Sequence, residues 1–326
     1  MIHQGHLDTF NHFSIVARDA GLFRQCWETA FNVRIPEIIE PKEGQEKIDL
    51  SKLFTYAPTY RGGPWPAGKN YGVTQVSVPP LYQPHERMIE VKAAGTMPSG
   101  INFYEHGGNG VQYLGIVEGD NRDPFLKELK EKYDCEKLEE MFYDPLPGDF
   151  CIVDTQQVLG TQLCVKKDGA LNGRVEVILP ETAEAAILVD DLDTAVRNWT
   201  DIFAIPTPKI QQAEETCLVR EKAVQTSFRY ARIEGAPFEL YLIESKGPGP
   251  FETFVKRKGH GIHHIAFDLG KETSAFTDRM KNQLGIDVLA EYHLDGKLYT
   301  VFDSAEKMGT AIAVRQEGVS KQSATN

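Results

Sequence analysis

The chain has 326 residues, 41% hydrophobic and 25% charged, which is enough to bury a large core and long for one domain. Its formal net charge of −12 argues against a nucleic-acid groove or an anionic membrane surface as partner. No apolar run reaches the roughly 18 residues that span a bilayer, the first six residues lack the pattern of a secretory leader, and five scattered cysteines without a C-x-x-C pair fit the reduced thiols of a cytoplasmic protein.

Taken in order, the chain repeats one plan four times: a short apolar strand, a polar turn, an amphipathic helix, then more strands. The first copy opens at His12-Phe13-Ser14-Ile15-Val16-Ala17-Arg18-Asp19 and runs into a helix over residues 21–31. An insertion over 35–99 follows, with the loop chemistry of Tyr60-Arg61-Gly62-Gly63-Pro64-Trp65-Pro66-Ala67-Gly68. Such a loop suits a lid, a subunit contact or surface padding. This copy closes with a strand at Ile101-Asn102-Phe103-Tyr104.

The second copy opens at Tyr113-Leu114-Gly115-Ile116-Val117 and closes at Thr161-Gln162-Leu163-Cys164-Val165. Its helix begins with Asp123 as N-cap and Pro124 at the first helical position. Turn signals at Asp168-Gly169 and Asn172-Gly173 mark a boundary. The third copy opens at Glu184-Ala185-Ala186-Ile187-Leu188-Val189, has a helix over 193–203 and closes at Phe238-Glu239-Leu240-Tyr241-Leu242. The fourth opens at Gly261-Ile262-His263-His264-Ile265-Ala266-Phe267 and closes at Thr310-Ala311-Ile312-Ala313-Val314. Its helix over 273–284 carries Phe276, Met280 and Leu284 at helical spacing. The expected fold is α+β, with four βαβββ modules paired into two domains over 8–168 and 182–317.

Neighbouring side chains on a strand face opposite ways. Each opening strand then has a bulky face for a helix and a clear face holding a small residue: Ser14, Gly115, Ala186 or Ala266. On the fourth strand His264 shares the clear face with Ala266 and Asp268, and His263 points away. An imidazole beside a small residue leaves room for a ligand, although most strand histidines are simply hydrogen-bonded. On the closing strands Asn102, Cys164, Glu239 and Ala313 take the clear faces. Glu239 lies between Phe238 and Leu240, where a carboxylate needs a partner that a cation supplies better than water.

Four βαβββ units and the Gly-Ile-His-His-Ile-Ala-Phe strand resemble the vicinal oxygen chelate (glyoxalase-like) superfamily. The local likeness is to methylmalonyl-CoA epimerases, over Phe238-Glu239-Leu240 through Leu269 and over Leu188-Val189-Asp190-Asp191-Leu192; chain length and two-domain order also resemble extradiol dioxygenases. The resemblance implies paired glyoxalase-like modules curled into a U-shaped sheet around a divalent metal, held from the first and last strands. Carried over, the metal positions are Glu184, Glu239, His264 and Ala313 in the C-terminal domain, and His12, Asn102, Tyr113 and Cys164 in the N-terminal one. Three of the first set are ligand types, so a zinc, manganese or ferrous ion is expected on His264, Glu239 and Glu184. The second set reads as non-metallic, with His12 structural or substrate-facing. Glu184 and Ala313 depart from the usual histidine and glutamate.

That set implies a lyase, isomerase or epimerase that abstracts a proton beside a metal-polarised carbonyl of a small molecule. Glu184 and Glu239 are candidate catalytic groups, Glu221 a further base on an expected strand, Tyr241 and Tyr299 catalytic or substrate-binding groups, and His260 a substrate-binding group. On strands, tyrosines also serve as plain packing residues. Lys256-Arg257-Lys258 reads either as a contact for CoA-type phosphates or as a solvated helix end. Two alternatives stand: a ferrous ring-cleaving dioxygenase, and a metal-free binding protein. A monomer and a homodimer are both compatible with paired modules.

Overall fold

The computed structural model describes residues 5–34, 59–60, 63–64, 74–78, 90–93, 98–141, 150–167, 182–236 and 238–317. The chain enters β1 (Phe10–Ala17) and turns into α1 (Ala20–Phe31), whose N-cap Asp19 accepts from the Leu22 amide at 2.8 Å. Four short strands follow: β2 (Thr59–Tyr60), β3 (Gly63–Pro64), β4 (Thr74–Val78) and β5 (Glu90–Ala93). Strand β4 lies antiparallel beside β1. The rest of the expected insertion, including most of its aromatic loop, lies outside the described residues.

The strand expected at Ile101–Tyr104 is instead part of helix α2 (Pro98–Gly107). Pro98 stands at the first helical position, where its fixed φ favours a helix. Four apolar residues are too few to tell a strand from one face of a helix. Phe103 and Tyr104 pack on Val16 of β1.

The second unit follows the expected plan. Strand β6 (Gly110–Val117) leads to α3 (Arg122–Tyr133), then β7 (Lys137–Met141), β8 (Phe150–Val153), the short α4 (Gln156–Leu159) and β9 (Gln162–Lys166). Helix α3 starts at Arg122, so Asp123 sits in its first turn, not at the cap. Strand β9 returns parallel to β6, and β1 and β6 pair antiparallel.

The C-terminal half repeats the plan twice. The third unit is β10 (Thr182–Leu188), α5 (Leu192–Phe203), β11 (Ile210–Val219), β12 (Lys222–Ile233) and β13 (Glu239–Ser245). After the linking helix α6 (Glu252–Lys258), the fourth is β14 (Gly261–Phe267), α7 (Thr273–Asp278) with a π-helical extension to Gln283, β15 (Val288–Leu294), β16 (Lys297–Phe302), α8 (Ala305–Met308) and β17 (Ala311–Glu317). Each closing strand is parallel to its opening strand, and β10 and β14 pair antiparallel. Pairing of Leu218 with Glu291 and of Val219 with Ala290 joins the two outer strands. The eight strands therefore close into a barrel in the order β11-β12-β13-β10-β14-β17-β16-β15. The α+β architecture of paired βαβββ modules is present; the first unit is the one that departs from the plan.

Alternation decides which side each residue serves. Ala185, Ile187, Leu240, Ile265 and Phe267 face outward and join one hydrophobic core with both halves' helices. Ala186, Leu188, Tyr241, Ala266, Tyr292 and Tyr299 face inward and fill the barrel. Two tryptophans lock the halves together in the same way. Trp27 of α1 donates to the Met308 carbonyl at the end of α8, and Trp199 of α5 donates to the Leu159 carbonyl at the end of α4, both at 3.0 Å. In each case the next residue is a glycine at positive φ, Gly309 (78°) and Gly160 (77°). A Cβ there would meet Ile15 at 2.5 Å or Ile187 at 2.7 Å, so the opening strand of one half rests on the closing turn of the other.

Candidate active site

Inside the barrel, β10 carries Glu184 with no exposed surface. Parallel pairing sets it beside Glu239 of β13, and antiparallel pairing sets it beside Ala266 of β14. Tyr299 of β16 donates its hydroxyl to Glu184 Oε2. The other oxygen, Oε1, has no hydrogen-bond partner among the described residues and stands 3.8 Å from His264 Nε2. Burial pushes the Glu184 carboxyl up to about 8; the Tyr299 bond opposes, Glu239 adds to the rise, and Arg315 and Lys297 oppose it. The group is therefore neutral at pH 7. Burial first, then the Glu184 carboxyl beside it, holds the Tyr299 phenol far above its ordinary range.

His264 lies where alternation places it, but His263 does not point away. Strand β14 slips register between Ile262 and His264 against consecutive residues Ile187 and Ala186 of β10, which is a β-bulge. The bulge turns His263 toward the barrel end, against Phe251 and Phe254. The two Nδ1 atoms meet at 2.8 Å, and Tyr292 Oη lies 3.3 Å from His264 Nε2. His263 also bonds the Pro250 carbonyl, which can only accept. The network then assigns the protons: His263 donates to Pro250, His264 Nδ1–H donates to His263 Nδ1, and His264 Nε2 keeps its lone pair toward Tyr292 and Glu184. Burial lowers both imidazoles, His263 to about 4, so both are neutral at pH 7.

The other site candidates fall elsewhere. Glu239 has its cation, but the protein supplies it. Lys297 Nζ lies 2.6 and 2.8 Å from its two oxygens, Arg315 Nη1 at 2.7 Å and Arg232 Nη2 at 3.4 Å. Tyr241 is interior, but its hydroxyl donates to Asp295 at 2.8 Å, as does that of Tyr230 at 2.7 Å. Glu221 is on no strand. It sits exposed in the two-residue turn between β11 and β12, at φ 64°, because Arg220 and Glu221 both take the left-handed conformation that a tight hairpin demands. His260 lies at the seam between the halves, bonded to Asp190 at 3.0 Å and Gln157 at 3.1 Å.

In the N-terminal half His12, Tyr113 and Cys164 do share one face, and Asn102 is on α2. The His12 ring meets Tyr113 edge-on at 5.6 Å and covers Gly115, where a Cβ would lie 1.9 Å from the imidazole.

The donor chemistry does not fit the expected three-ligand metal set. Glu184 and His264 offer one free oxygen and one lone pair, but both Glu239 oxygens are held by Lys297 and Arg315. Among the described residues no group of three His, Cys, Asp or Glu is placed to hold a metal ion. A dioxygenase centre of two imidazoles and a carboxylate fares no better, since His263 and His264 spend their facing nitrogens on each other. Residues the sequence did not single out complete the site: Tyr292, Asp295, Lys297, Arg315 and Arg232. Part of their signal is in the sequence: Arg315 continues the alternation of Ala311 and Ala313, and Lys297 shares a face of β16 with Tyr299.

No protein family is matched by the sequence, and no curated protein matches it. Among solved structures, methylmalonyl-CoA epimerase from Streptomyces coelicolor is 18% identical at a TM-score of 0.31, over 42% of this chain and 96% of that one. An Mn(II)-bound glyoxalase from Novosphingobium aromaticivorans is 11% identical at a TM-score of 0.47, over 95% and 82%. A fusion of a xylose isomerase-like TIM barrel with 4-hydroxyphenylpyruvate dioxygenase is 14% identical at 0.48, over 97% of this chain and 50% of that one.

Proposed function

We propose that the C-terminal barrel is the site of a small-molecule lyase, isomerase or epimerase that moves a proton beside a carbonyl, with Glu184 as the acid–base group. One observation carries this reading: a wholly buried carboxyl raised to about 8, with one oxygen bound by Tyr299 and the other unpartnered. A carboxyl at that value is a proton donor at neutral pH and a base slightly above it. Tyr299 holds the carboxyl in one orientation, and the His264 lone pair is the acceptor nearest its free oxygen. A cavity of about 670 Å³ lined by Thr182, Glu239, Asp268 and Arg315 lies at this end of the barrel. Glu239 and Arg315, which line it, also form the bridge with Lys297 beside Glu184.

The test is proton exchange. Wild-type protein and Glu184→Gln are incubated in heavy water with a panel of 2-oxo acids and acyl thioesters, and loss of the α-proton is followed by NMR. Wild type is expected to exchange at least one compound at a rate unchanged by EDTA, and Glu184→Gln to be slower by about 100-fold or more. Exchange that depends on added zinc, manganese or iron(II), or that survives in Glu184→Gln, would remove Glu184 from this role. A second reading, a metal-free binding protein, is favoured by the aromatic side chains that fill the barrel. It predicts saturable binding of a panel compound with no exchange in either protein.

A further inference from the structure

Helix α6 ends in three consecutive cations, and the third leaves the other two. Lys256 pairs with Glu252 at 2.5 Å and Arg257 reaches Glu306 at 3.4 Å, both at the surface. Lys258 turns into the seam between the halves. Its ammonium donates to the Asn109 carbonyl and stands 5.5 Å from the centre of the Phe103 ring and 5.6 Å from that of Phe254. The backbone is shaped to admit it, since a Cβ on Gly110 would lie 2.6 Å from Nζ. Among the described residues no carboxylate forms an ion pair with it. Burial lowers its pKa to about 8, with the Arg257 charge acting the same way and Glu306 opposing.

The amine borders a cavity of about 290 Å³, apart from the barrel interior and lined also by Asn102, His106, Asp154, Gln162 and His260. A lysine used only as a surface charge keeps its head in water. Here the side chain is half-buried, no described carboxylate pairs with the head, and the adjoining space has amide and carboxylate groups to orient a small polar molecule.

We propose that Lys258 is a nucleophilic amine and that the seam cavity is a second site, which captures a small aldehyde or ketone as an imine. The amine nitrogen attacks the carbonyl carbon, a C=N bond replaces C=O, and the carbonyl oxygen leaves as water with both amine hydrogens. No oxidant or reductant is consumed.

The full chain is treated with propanal and cyanoborohydride at pH 7, and alkylated lysines are mapped by peptide mass spectrometry. With Lys258 near 8 and an ordinary lysine at 10.5, the free-amine fraction is about 300-fold higher at Lys258. Lys258 is expected to be the first lysine alkylated, at a rate that saturates with propanal and rises with pH to a plateau above about 8. Alkylation of the exposed Lys127 ahead of Lys258, no modification of Lys258, or a rate that stays linear in propanal would each overturn the proposal.

Discussion

Glu184→Gln is expected to be more stable than wild type at pH 9 and about equal to it at pH 4. The folded-state value is raised from the usual 4.5 to about 8, so the fold keeps a proton that the unfolded chain releases. The stabilising contribution of the neutral carboxyl is complete below about 4.5, falls as pH rises, and is gone above about 8. A shift of that size corresponds to an upper limit of about 5 kcal/mol for this fully buried group. Glutamine has nearly the same shape, still accepts from Tyr299, and has nothing to ionise. The two histidines act in the opposite direction. Their folded values lie below the usual 6.5, so both cost stability as pH falls below that point. They are common to both proteins and cancel in the difference. Urea unfolding of the pair at several pH values measures it, and a difference that does not change with pH would contradict a neutral Glu184.

Glu239→Gln should lose about 3 kcal/mol of stability with no change in metal content. Lys297 and Arg315 are each 13% exposed and Glu239 is 20% exposed, so removing the carboxylate leaves two largely buried cations uncompensated. Arg232 is 45% exposed and adds little. Adding Lys297→Met to Glu239→Gln should recover part of the loss, because one uncompensated charge then goes with it. A double-mutant cycle by urea unfolding reads the coupling, expected to exceed about 1 kcal/mol. A Glu239→Gln within about 0.5 kcal/mol of wild type that also loses a bound metal would restore Glu239 as a ligand.

Much of this arrangement was legible in the sequence because strands alternate. The clear faces of the third and fourth units, with Glu184, Ala186, His264, Ala266, Glu239 and Tyr241, are the inner faces of the barrel. What alternation could not give was the partner of each group. Glu239 on an apolar strand needs a cation, but Lys297 and Arg315 stand 58 and 76 residues away in the chain. Only the closed barrel brings them to it. Alternation fails at His263 because one extra residue in a ladder reverses the parity on which it depends, and a bulge has no fixed sequence signature. Helix α2 is not legible as a helix because Ile101-Asn102-Phe103-Tyr104 is shorter than either period can resolve. Lys258 stands in a charge run, where nothing local tells an inward lysine from an outward one.

The protonation state of Glu184 is the most direct test. Infrared difference spectra of wild type minus Glu184→Gln, recorded from about pH 5 to pH 10, isolate this carboxyl. A neutral, metal-free acid predicts a protonated carboxyl signal at pH 7 that gives way to carboxylate around 8. A carboxylate signal throughout, as expected of a metal-bound or conventionally paired glutamate, would contradict the account.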